Sequence, residues 1–313
     1  MSYPHDDHVD DYAGLPVASV PFSEEEPQPR ADAAAWRLWA SEWQDDAPDH
    51  VAEGLDWFFE HVETEKVQAI VVGEWEECYE SDSGPIVARL TAERDRLPAL
   101  RSLFLGAIAR EEAEISWIQQ SDITPLLEAF PKLERLEVRG GTGLRLQPVR
   151  HDSLRVLRFE TGGLPGHVVR AVGECDLPAL EHLELWLGVE EYGGDATIPD
   201  CAAILSGARL PSLRHLGLQD SEMQDDLAAA VAAAPIVARL ESLDLSMGVL
   251  TDTGAEALLS GQPLTHLHTL DLSHHYLSDE MTRRLPEALP GARVILDDRQ
   301  KPDGEWRYVA VSE

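Results

Sequence analysis

The segments Ser153-Leu154-Arg155-Val156-Leu157-Arg158-Phe159-Glu160, Ala179-Leu180-Glu181-His182-Leu183-Glu184-Leu185-Trp186 and Ser212-Leu213-Arg214-His215-Leu216-Gly217-Leu218-Gln219 share one pattern, with apolar residues at the second, fifth and seventh positions. Working outward, the same pattern recurs upstream at 66–73, 99–106 and 132–139, and downstream at 239–246 and 264–273. The first apolar position falls at 67, 100, 133, 154, 180, 213, 240 and 267. Spacing this regular marks an internal repeat, each unit packing on its neighbours. The end of each motif alternates apolar and polar residues as a short strand does. Parallel stacking of such strands sends the apolar set into one continuous core.

Between the motifs, residues 85–97, 122–130, 225–234, 251–259 and 278–289 show helical periodicity. Asp122, Asp225, Asp252 and Ser278 stand where helix N-caps are expected, since their side-chain oxygens accept from the first free N–H groups. One strand and one helix per repeat predict an α/β fold, a right-handed leucine-rich-repeat solenoid. It is a horseshoe of the ribonuclease-inhibitor type with a parallel concave sheet and convex helices. A doubly wound nucleotide-binding sheet is disfavoured because no G-x-G-x-x-G or P-loop occurs. The expected organisation is an acidic, Pro-rich N-terminal segment with a short cap element at 1–53, the solenoid at 54–296, and a C-terminal loop and short strand at 297–313. Residues 1–32 read as mostly irregular, and 33–43 as a helix or a hairpin strand. Residues 294–296 read as a degenerate last strand and 306–311 as a terminal strand.

The chain has 313 residues, 43% hydrophobic and 27% charged, which suits a soluble protein with a real core. Its 25 Lys and Arg against 58 Asp and Glu give a net charge of −33. That field repels phosphate backbones and anionic lipid and attracts basic protein, so neither nucleic acid nor membrane is an expected partner. Three separated cysteines (Cys78, Cys175 and Cys201) form no disulfide or metal spacing. With no leader-like N-terminus and no apolar run of about 18 residues, a cytoplasmic location is expected.

The stretches Glu111-Glu112-Ala113-Glu114-Ile115-Ser116-Trp117-Ile118, Glu184-Leu185-Trp186-Leu187-Gly188 followed by Tyr192-Gly193-Gly194-Asp195, and Leu272-Ser273-His274-His275-Tyr276 go beyond the Leu pattern. In them the chain resembles a bacterial, mainly actinobacterial, leucine-rich-repeat family of unassigned function with ribonuclease-inhibitor-like repeats. Relatives in that family are encoded near radical-SAM proteins, and the resemblance implies an accessory role. Where those relatives read Gly-Asp and Glu-Glu-Cys, this chain has Gly106-Ala107 and Glu112-Ala113, so a role for that acid or thiol does not carry over.

Residues beside the inward Leu positions face the concave surface, which makes Phe104, Glu137, Arg139, Arg158, Glu160, Glu184, Trp186, Gln219, Asp244, Asp271, His274 and Tyr276 the expected partner-binding set. Glu137, Arg158 and Glu184 alternate in charge, as a cross-strand ladder requires. Phe104 and Trp186 read as interface anchors, or alternatively as residues buried under a loop such as 189–195. His274 and His275, with Asp271, are the best alternative centre for a metal-dependent or accessory activity. His275 also falls where repeats of this kind place Asn, and this chain contains no Asn, so turn hydrogen bonding is the preferred reading. His5-Asp6-Asp7-His8 is a weaker ligand pattern, and Glu111, Glu112 and Glu114 read as a solvated acidic loop. No nucleophile–base pair stands out, so no catalytic residue, metal or cofactor is expected. The expected function is a non-catalytic scaffold that binds a basic protein.

Overall fold

The computed structural model describes residues 7–20, 28–40 and 50–312. Among these residues, twelve strands form one open sheet in which every strand lies beside its sequence neighbour. The strands are β1 (Asp11–Tyr12), β2 (Leu15–Ser19), β3 (Ala35–Leu38), β4 (Ala69–Val72), β5 (Ser102–Leu105), β6 (Arg135–Arg139) and β7 (Val156–Glu160), then β8 (His182–Gly188), β9 (His215–Ser221), β10 (Ser242–Asp244), β11 (Thr269–Asp271) and β12 (Arg293–Ile295). Only β1 and β2 pair antiparallel; from β2 onward the pairing is parallel. Parallel neighbours need a return path across one face. Eight helices supply or accompany that path: α1 (Val51–His61), α2 (Gly84–Ala92), α3 (Thr124–Ala129), α4 (Gly166–Glu174), α5 (Ile198–Ser206), α6 (Gln224–Ala232), α7 (Asp252–Ser260) and α8 (Asp279–Ala288). The result is an α/β, solenoid-like fold.

Register is set by side-chain period. Ile70 pairs with Leu103, and the line continues through Leu136, Leu157, Leu183, Leu216, Leu243 and Leu270 to Val294. All seven Leu residues are buried in one core, as the repeat pattern requires. Their neighbours along the strand face the opposite side, the open face of the sheet.

At the ends one open alternative is resolved and two expectations change. Residues 35–38 are a strand whose Trp36 is fully buried and packs 5.9 Å from Phe58 of α1. The N-terminal stretch also supplies β1 and β2, so the sheet takes in Asp11–Tyr12 and Leu15–Ser19 where irregular chain was expected; 1–6, 21–27 and Trp43 lie outside the described residues. Residues 306–311 are not a strand. Beyond a single bridge between Asp303 and Trp306, this tail is irregular chain on the open face, its backbone N–H groups at 310 and 311 taken by the Met247 carbonyl and the Asp220 carboxylate.

The caps differ too. Ser278 accepts from Met281 N–H at its own helix. Asp225 instead reaches forward, accepting from the N–H groups of Thr251 (2.8 Å) and Gly254 (3.0 Å) at the start of α7. Asp252 likewise accepts from Ser278 N–H at 2.8 Å. Gly254 permits this closeness: a Cβ there would lie 2.6 Å from the Asp225 carboxylate. The starts of α7 and α8 therefore lean on a carboxylate of the preceding repeat, whereas Asp122 serves its own helix, accepting from Thr124 N–H at 2.9 Å. Among the described residues, no helix is long and apolar enough to cross a membrane.

Because Leu216 is fully buried between two repeats, Leu216→Ala is expected to cost about 2–5 kcal/mol. Denaturant unfolding monitored by circular dichroism measures it.

Candidate functional site on the open face of the sheet

Three columns of side chains cover the open face. The first runs Ser102, Arg135, Val156, His182, His215, Ser242 and Thr269, and the central one Phe104, Glu137, Arg158, Glu184, Gly217, Asp244 and Asp271. The third holds Arg139, Glu160, Trp186 and Gln219 where the strands are long enough to reach it.

The two ends of the column are covered by the two ends of the chain. Tyr12 of β1 sits 5.8 Å from the ring of Phe104, within an apolar cluster that includes Ala35, Ala69 and Val71. At the other end Val311 packs with Trp186, Ile115 and Met247. Its N–H donates to Asp220 Oδ1 at 2.9 Å, and Ala310 N–H donates to the Met247 carbonyl at 2.7 Å. Tyr276 and Tyr308 exchange hydrogen bonds of 2.8 and 3.0 Å. Phe104 is therefore only 3% and Trp186 only 1% exposed. As exposed anchors both are corrected: each large ring is covered by a chain end, and the cover over Trp186 is the C-terminal tail, where the 189–195 loop had been the alternative.

Between the covers runs a charge network. Arg135 pairs with Glu137 at 2.7 Å, and Arg158 contacts Glu160 at 2.8 Å and Glu184 at 2.6 Å. Arg139 pairs with Glu160 at 2.7 Å, with both side chains essentially inaccessible. The expected ladder is present, but Arg139, Glu160 and Glu137 form its buried side. Gln219 is also buried, donating to Asp244 at 3.0 Å and Ser246 at 3.2 Å. Burial alone would raise the Glu160 pKa; the guanidiniums of Arg139 and Arg158 outweigh it and hold the group below the ordinary carboxylate range. Burial would likewise raise Glu184, but hydrogen bonds from His182 and His215 and the charge of Arg158 pull it far down. Asp244 goes the other way, up to about 7, through burial and then the neighbouring charge of Asp271. A depression of about 710 Å³ remains open between the covers, with Tyr12, Ser102, Arg135, Glu137, Arg155 and Arg158 in its walls.

The residues proposed for a metal do not converge. His275 is fully buried; its Nδ1 accepts from Leu277 N–H and its Nε2 reaches the Leu296 carbonyl, both at 3.1 Å. A neutral ring with the proton on Nε2 satisfies both bonds, which is the turn role expected of it. His274 turns away, bonding Asp298 at 3.1 Å and the Tyr308 carbonyl at 3.0 Å. Asp271 accepts from the Ser273 N–H and hydroxyl. Of the acidic loop, Glu112 pairs with Arg37 at 2.9 Å and accepts from Ala109 N–H at 2.8 Å, so it ties repeats together. His5 and Asp6 lie outside the described residues.

A different group of ligand types does meet. His182, Glu184 and His215 bring one ligand atom each to within 4.8 Å of one another. Sequence reasoning missed them, although the signal was there: His182 and Glu184 are two apart on one strand, and the repeat register sets His215 beside His182.

No family model matches the chain, and no curated protein matches it. Among solved structures it is similar to a Bacteroides fragilis protein determined by a structural genomics consortium. The TM-score is 0.76 and the identity 33%, over 83% of this chain and 72% of that one. The chain belongs to the same family as that protein. The kinship carries the fold alone.

The burial of His275 depresses its pKa, chiefly by desolvation. Its neutral form is favoured in the folded state, so the stabilisation is complete above about pH 6.5 and is lost as pH falls through the depressed folded value. His275→Asn, which offers the same turn hydrogen bonds, should lie within about 1 kcal/mol of the wild type near pH 8. It should also lose less stability on acidification. Urea unfolding of both proteins at about pH 8 and about pH 5.5 checks the sign.

Proposed function

We propose that this chain is a right-handed leucine-rich-repeat horseshoe of the ribonuclease-inhibitor type that acts in the cytoplasm as a non-catalytic scaffold, taking a basic protein on its concave face. The repeat assignment is supported by the L-x-x-L-x-L motifs, whose central Leu residues stack in register across β5 to β11. The observation that carries the binding role is that the open face already holds polypeptide. The C-terminal tail lies on it with Val311 seated among Trp186, Ile115 and Met247 and its backbone held by Asp220 and Met247. A surface that takes an apolar residue together with backbone hydrogen bonds is suited to an extended segment of another protein. The depression on the same face, beside the N-terminal cover, provides the free area.

The basic character of the partner rests on the net charge of −33, which speeds encounter with a positive surface over a Debye length of about 8–10 Å. With Phe104 and Trp186 covered, docking is left to the accessible rim of the depression, where Glu134 and Glu181 lie beside Arg135 and Arg155. Their exposed pairs are individually weak and can be exchanged for contacts with a partner at small cost.

The test is capture of a partner by the full chain, followed by surface plasmon resonance against the purified partner. Association should slow as salt is raised from about 0.05 to about 0.5 M. Glu134→Lys with Glu181→Lys should slow it about tenfold or more at low salt, with a smaller change in dissociation. Binding indifferent to salt and to both substitutions would move the interface to the helical face.

A further inference from the structure

His182 opens strand β8 and His215 opens β9, at paired positions of the sheet. Their imidazoles are stacked with centroids 4.0 Å apart and planes 7° apart. Both Nε2 atoms point to the same oxygen of Glu184, at 2.9 Å from His182 and 3.3 Å from His215. The second oxygen of that carboxylate is held by Arg158. We propose that His182, His215 and Glu184 form a binding site for a divalent transition-metal cation of the zinc class, which the scaffold reading above neither requires nor supplies.

The distances favour it. Ligands about 2.0–2.2 Å from a tetrahedral ion lie about 3.3–3.6 Å from one another. The His215–Glu184 separation of 3.3 Å already matches that edge, the His182–Glu184 one of 2.9 Å falls inside it, and the third lies within 4.8 Å. Tilting two partly exposed rings closes it, since side-chain exposure is 34% at His182 and 20% at His215. The donor set of two imidazoles and one carboxylate suits zinc and its neighbours rather than the hard, all-oxygen cations calcium and magnesium.

The surroundings are arranged as a ligand needs them. His215 Nδ1 bonds the Ser242 hydroxyl, which turns Nε2 toward Glu184 in the way outer groups orient metal-bound histidines. Gly217 stands in the central column where other repeats carry a side chain, and a Cβ there would come within 3.0 Å of Glu184 Cγ. Its lack of one lets the carboxylate lean across β9 toward His215. All three side chains keep some exposure, 34% at His182, 20% at His215 and 14% at Glu184, so solvent reaches the trio. Among the described residues, no other group of His, Cys, Asp and Glu brings three such atoms this close.

The experiment uses the full chain at neutral pH with zinc alone as the titrant in calorimetry, and cobalt(II) absorption as a second readout. One equivalent of zinc should bind, and cobalt should give a visible band that zinc abolishes. His182→Gln and His215→Gln should each weaken zinc at least tenfold while circular dichroism and thermal melting stay unchanged. Gly217→Ala should weaken it as well, while His275→Asn leaves it as it was. Calcium in large excess should not displace the zinc. The proposal fails if wild-type protein binds no zinc, if both histidine variants keep wild-type affinity, or if calcium competes equally, since the ion would then sit on surface carboxylates.

Discussion

The parallel pairing that sets Leu103, Leu136, Leu157, Leu183, Leu216, Leu243 and Leu270 side by side is the constraint from which the rest of the molecule follows. A slip of one residue in any strand would turn its Leu to solvent and its charged neighbour inward. Several kcal/mol of burial per repeat therefore fix the register. Everything on the open face inherits that precision. Glu137 stands opposite Arg158 and Arg158 opposite Glu184 because the Leu residues one step back cannot move.

The open face is divided by the chain itself. Tyr12 closes one end over Phe104, and Val311 the other over Trp186. What lies between is polar and tightly paired, with its deepest members, Arg139 and Glu160, sealed from solvent. Removing either would leave a buried charge, so this side of the network holds geometry. The residues able to trade partners stand at the rim, and the histidine pair stands just beyond Arg158, on the C-terminal side of the ladder.

Much of this could be read from the order of residues, for a physical reason. The Leu pattern, the helices and the turn role of His275 all repeat, and periodic signals survive without coordinates. The covers do not repeat. Nothing periodic links Tyr12 to Phe104 or Val311 to Trp186; these are single contacts between distant segments, so two aromatics that read as anchors turned out to be floors. The caps failed by one repeat: Asp225 and Asp252 were rightly seen as acceptors, but their carboxylates serve the helix and turn that follow. His182 and His215 were within reach of the register argument, yet neither stands in a column that had been singled out.

The forward reach of Asp225 and Asp252 also limits how such a chain can grow or shrink. A repeat removed whole, from one Leu motif to the next, leaves the Leu stack intact but takes with it the acceptor on which the following helix start depends. It also brings up a carboxylate with no Gly254 opposite to receive it. Around α6 to α8, the unit that carries its acceptors intact is thus one strand and helix together with the first turn of its successor.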